Sequence, residues 1–144
     1  MKTPDQATRE RIRELRKRHG WTQQNLADAL NRLGAHTDRA AVAKVELGKR
    51  GLALDEAFLY ALALDVAPVH LFAPIDSDER VSLGPNIECS PVKMRAWIRG
   101  LAPMFPQQNP RTYFAEVPLD ELRVEGWRIA RDKWEAHETS GEDT

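Results

Sequence analysis

Gly20, Gly34 and Gly48 each stand directly after a stretch whose apolar residues recur at helical spacing. Glycine accepts the left-handed backbone that closes a helix, so each of the three acts as a stop. The first half of the chain must therefore fold as short helices joined by tight turns. Pro4-Asp5 starts the first, with Ile12 and Leu15 on one face and Gly20 ending it. Thr22 caps a second, in which Leu26, Ala27, Leu30 and Leu33 repeat at helical intervals up to Gly34. Thr37 or Asp38 caps a third, with Ala41, Val42 and Val45 turned inward and Gly48 closing it. A fourth begins near Asp55 and carries Phe58, Leu59, Leu62 and Ala63. Pro68 suits the first turn of a short fifth helix that ends around Phe72. These helices define a small all-α domain over residues 1–75.

Residues 76–144 follow a different pattern. The polar, acidic stretch A-P-I-D-S-D-E-R, residues 73–80, reads as the seam. Beyond it, R-V-S-L-G-P-N-I-E-C predicts a short strand or strand pair broken at Gly84-Pro85. Ser90 as cap, Pro91 in the first turn and Gly100 as stop predict one short helix. Four of the nine prolines fall within 103–118, which predicts irregular chain there. From Leu119 to about His137 the period is helical again, with Leu122, Trp127, Ala130 and Trp134 near one stripe, and a polar, disordered tail is expected after it. The fold class expected is mainly α: a five-helix domain, then a small, partly irregular C-terminal region with one or two helices and a short strand or strand pair.

Bulk properties narrow the function. A 144-residue chain with 42% hydrophobic and 30% charged residues suits a soluble protein with a modest core. No apolar run approaches the roughly 20 residues of a membrane helix. The N-terminus lacks the apolar segment of a signal peptide, so a cytoplasmic location is expected. Cys89, the single cysteine, excludes an internal disulfide and reads as a buried, neutral thiol. The histidines at 19, 36, 70 and 137 share no ligand spacing, so neither a metal nor another cofactor is expected. No nucleophilic triad, phosphate loop or paired carboxylates in a defined setting is present, and an enzyme is not expected. Trp97, Trp127 and Trp134 suit a core or a dimer contact better than a ligand pocket. The net charge of −1 conceals an asymmetry. Residues 1–75 hold 12 Lys/Arg against 9 Asp/Glu, and residues 76–144 hold 9 against 13. Counterions are displaced only where basic groups meet phosphates, so the first half is electrostatically free to bind nucleic acid.

Two segments carry a resemblance. L-R-K-R-H-G-W-T-Q-Q-N-L-A followed by A-A-V-A-K-V-E-L-G-K-R resembles the lambda-repressor, Cro and XRE family of helix-turn-helix DNA-binding domains, over roughly residues 8–73. L-A-L-D-V-A-P-V-H-L-F is similar to that family's closing helices. The resemblance implies a third helix, from Asp38 to about Leu47, lying in the major groove of double-stranded DNA. Arg39, Ala40 and Lys44 would then face base edges, Arg39 as the principal reader because arginine pairs bidentately with guanine. Thr22, Gln23, Thr37, Lys49 and Arg50 would hold phosphates. Arg16 and Glu46 would form a structural ion pair between the first and third helices. The link between the two motifs, D-A-L-N-R-L-G-A-H-T-D-R-A, is several residues longer than is usual in the family. The expected function is a sequence-specific transcriptional regulator, a repressor, acting as a homodimer on a near-palindromic operator. The C-terminal half would supply the dimer contact or a partner surface. The alternative is an antitoxin-like autoregulator whose C-terminal half binds a protein partner.

Overall fold

The computed structural model describes residues 1–76 and 78–105. They fall into two compact units, Met1–Pro91 and the segment beginning at Val92. The first unit holds five helices and a hairpin: α1 (Pro4–Arg18), α2 (Gln23–Arg32), α3 (Arg39–Glu46), α4 (Leu54–Ala63), α5 (Pro68–Phe72), β1 (Val81–Gly84) and β2 (Ile87–Cys89). The last helix is α6 (Pro91–Ile98). The mainly helical class read from the sequence holds for these residues, including the strand pair and the helix between Ser90 and Gly100. The irregular segment expected beyond Phe105, the helix expected over 119–137 and the tail lie outside the described residues, as do Trp127 and Trp134.

Capping fixes where the helices begin. Thr3, one residue ahead of Pro4, accepts from the Gln6 N–H while the Gln6 side chain takes the Thr3 N–H. Thr22 and Asn25 repeat the arrangement at α2. At α3 the cap is Asp38, not Thr37, with the Ala41 N–H at 2.8 Å from its carboxylate. Ala53, ahead of α4, has no capping side chain, and Glu56 reaches back to its N–H instead.

The core joins α1 to α5. Ile12, Leu26, Ala27, Leu30, Val42, Val45, Tyr60, Ala61, Leu64 and Leu71 form one buried cluster, with Trp21, Ala35 and Leu59 packed against it. Burying such side chains stabilises by about 1.5–3 kcal/mol each for the larger ones, which is what holds helices too short to persist alone. Two sequence readings change here. Leu33 continues the helical spacing of α2 in the sequence, but the helix ends at Arg32 and Leu33 is the exposed residue before Gly34. Phe58 and Leu62 were placed in the α4 pattern, but α4 turns Ala57, Tyr60 and Ala61 inward and leaves Leu54, Phe58 and Leu62 outside. A helix apolar on nearly every side gives no periodic signal for which side is buried.

The hairpin is antiparallel, pairing Val81 with Cys89 and Ser82 with Glu88. Lys2 adds to its edge: its N–H donates to the Arg80 carbonyl, and its own carbonyl accepts from the Ser82 N–H. The Lys2 ammonium meets both Glu10 and Glu79, and these hydrogen bonds raise its pKa above the ordinary lysine value. Cys89 is buried, as the sequence suggests. Arg11, also buried, donates from Nε to the His70 carbonyl at 3.0 Å and from Nη1 to Glu14, so α1 and α5 are pinned by a charged hydrogen bond.

Candidate nucleic-acid interface

The solvent face of α3 follows from its buried one. Val42 and Val45 are fully buried, so residues on the opposite side of so short a helix must face water. Arg39, Ala40 and Lys44 are all exposed there, and Arg39 is the first helical residue, directly after the Asp38 cap. Thr22 and Gln24 are exposed at the start of α2, where the first backbone N–H groups of the helix point outward. Lys49 and Arg50 lie exposed after Gly48, their backbone N–H groups both donating to the Lys44 carbonyl. Arg50 is also paired with Glu56. His36 is exposed and Thr37 half-buried in the connection ahead of the cap.

Behind this face lies a polar network that leaves little freedom. Arg16 Nε and Nη2 meet Glu46 Oε1 and Oε2 at 2.6 and 3.0 Å, a bidentate pair. Only 4% of the Glu46 side chain and 11% of the Arg16 side chain remain accessible, so water screens neither charge well. Arg16 Nη1 also donates to the Trp21 carbonyl at 2.9 Å, which fixes the turn between α1 and α2. Gln23 completes the network by donating from Nε2 to Glu46 Oε2 at 2.9 Å. Its amide is thus half-buried against the third helix, while the neighbouring Gln24 amide bonds Asp28 on the surface. Three helices thus meet on one carboxylate, and the turn between α1 and α2 is tied in through Arg16.

Residues 12–71 match a protein-family model described as Helix-turn-helix. This segment is a helix-turn-helix domain of the lambda-repressor type. Neither the curated proteins nor the solved structures yielded a match. In the helix-turn-helix domain, α2 and α3 are the two helices of the motif, and the network around Glu46 sets their relation to α1. The family match supports a DNA-binding transcriptional regulator of the XRE type. Among the described residues no helix is long and apolar enough to cross a membrane.

One arrangement was not read from the sequence. Asn31, on the last turn of α2, donates from Nδ2 to the Thr37 carbonyl and accepts at Oδ1 from the Thr37 N–H, both at 2.9 Å. A side chain bonding backbone six residues away has no periodic signature. The only available hint was the presence of an asparagine ahead of an unusually long connection.

Proposed function

We propose that this protein is a sequence-specific transcriptional repressor that docks α3 in the major groove of its operator. The observation that carries the reading is the exposed row Arg39, Ala40 and Lys44 on a helix-turn-helix domain, backed by valines on the other side. In this role Arg39 pairs with a guanine edge, Ala40 admits close approach or touches a thymine methyl, and Lys44 reads a base or grips a phosphate. Thr22, Gln23, Thr37, Lys49 and Arg50 contact phosphates and fix the register. Gln23 has its second amide hydrogen to offer while bonded to Glu46. Arg50 would exchange Glu56 for a phosphate on binding. Arg16 and Glu46 act structurally and do not touch DNA.

The DNA-binding role falls to residues 1–75, and residues 76–144 supply a dimer or partner contact. Homodimerisation is also supported on the DNA-binding side by the exposed row Leu54, Phe58 and Leu62 at every fourth position of α4. Three side chains cannot supply the about 800 Å² per copy of a standard interface, so this face would need the operator or the C-terminal half to hold a dimer. The antitoxin-like alternative draws support from Val92, Trp97 and Ile98, exposed on α6.

Selection of duplexes from a random pool, followed by a salt titration on the enriched sequence, tests the reading. A dyad-symmetric motif whose affinity falls steeply with salt is expected, because each phosphate contact adds about −0.9 to the logarithmic slope. Absence of any enriched motif at low salt would overturn it. Arg39→Ala should remove preference for the motif and leave weak, salt-sensitive binding, whereas equal losses on motif and random duplexes would exclude base reading by Arg39. Fusion of the motif to a reporter promoter distinguishes repression from activation. A small protein that co-purifies with the chain from its native host and releases DNA would favour the antitoxin-like form.

A further inference from the structure

We infer that Asn31 is the positioning residue for the base-reading end of α3, an inference that rests on the DNA-binding reading above. The connection between α2 and α3 leaves the helix in a tight closing turn. Gly34, at φ 92°, donates to the Asn31 carbonyl, and the Ala35 N–H reaches the Leu30 carbonyl. Ala35 then packs against the core. From His36 to Ala41 no residue is fully buried, and Val42 is the next to enter the core. The Asn31 amide bridges this gap. Its two hydrogen bonds to Thr37 reproduce what a neighbouring backbone strand would offer, one donor and one acceptor side by side.

The geometry of the next two residues explains why this matters. Asp38 follows Thr37 directly and caps α3 through the Ala41 N–H, and Arg39 follows Asp38. Asn31 therefore fixes the peptide adjoining the cap, two residues from the guanidinium that reads a base. Bidentate pairing of arginine with guanine depends on direction as well as distance, so a loose first turn costs discrimination before it costs attraction. Attraction to phosphates, being a matter of charge, survives small displacements. The same clamp holds Thr37 where a phosphate contact would need it. Asn31 is exposed, and Val42 and Val45 keep α3 docked without it, so the fold does not depend on the clamp. Only a primary amide on a short stem satisfies both Thr37 groups. Aspartate can accept from the N–H but has no hydrogen for the carbonyl.

The test uses the full chain, the duplex enriched by the wild-type protein, and a scrambled duplex of equal length at one salt concentration. The readout is the ratio of the two affinities, with thermal melting alongside. Asn31→Ala should lower the ratio about tenfold with a small change in melting temperature, and Asn31→Asp should fall between. In an Arg39→Ala background, Asn31→Ala should change the ratio no further, because the clamp acts through that side chain. An unchanged ratio, an equal loss on both duplexes, or additive losses in the double variant would overturn the inference. If Asn31→Ala melts early, the ratio for Asn31→Asp decides, since it keeps one of the two bonds. A wild-type protein that enriches no motif would instead overturn the base-reading proposal, and this inference with it.

Discussion

Gly48 follows the last turn of α3 with φ at 71°, a left-handed backbone that costs an L-residue roughly 1–2 kcal/mol. A Cβ there would also strike the guanidinium of Arg9, whose Nη1 lies 1.4 Å from the position the Cβ would take. Arg9 is long and can swing aside, so the backbone cost dominates. Gly48→Ala should thus lower the unfolding free energy by about 1–2 kcal/mol in urea denaturation, and a neutral result would mean the turn relaxes at no cost. Tyr60 offers a second single-residue test. Burial, reinforced by Glu56, pushes its phenol up to about 12 from the ordinary 10. The unfolded chain ionises first, so this group's contribution is complete below about pH 10 and is lost as the pH rises towards about 12. Tyr60→Phe should flatten that stretch of the stability curve relative to wild type, and parallel curves would show that the phenol titrates alike in both states. Residues of this kind differ in legibility. The stop at Gly48 was evident from its place after an apolar period, whereas the Asn31 clamp depends on a loop path that no spacing encodes.

At the scale of the helices, the boundaries were legible and some of the faces were not. Thr22 and the glycines marked where α2 and α3 begin or end because capping is local chemistry, decided within four residues. Which side of α4 is buried is decided by α2 and α5, and eight apolar side chains between Leu54 and Ala63 leave that choice open in the sequence. The contact of Arg16 with Glu46 is also non-local, and only the family resemblance brought the two together before the structure. Glu46→Ala strips the acceptor from both Arg16 and Gln23 and strands a poorly hydrated guanidinium. A loss of about 3–5 kcal/mol is expected, a large share of a typical domain's stability. Replacing both partners, Arg16→Met with Glu46→Leu, should cost less than Glu46→Ala alone, because no charge is then left unpaired. Equal or greater loss in the double variant would make the pair itself a net source of stability.

For the molecule as a whole, the proposed role gives the division of charge a meaning. The basic excess of residues 1–75 would favour any duplex, and the acidic excess beyond it would oppose non-specific contact. If copies meet through α4, Leu62→Glu places like charges across the two-fold axis without disturbing the core, since Leu62 is 66% exposed. Affinity for a full dyad operator should fall at least about tenfold while affinity for a single half-site holds, measured on duplexes carrying one or both halves. An equal affinity for the full operator would move the dimer contact to the C-terminal half. The pairing of Lys2 with the hairpin has a consequence in time. All five helices of the first unit are complete in a nascent chain by Phe72, but Val81 must be synthesised before Lys2 has an edge to join. Pairing of Lys2 with the hairpin therefore follows synthesis of the helices, and it links segments that lie on either side of the whole helical core in the sequence.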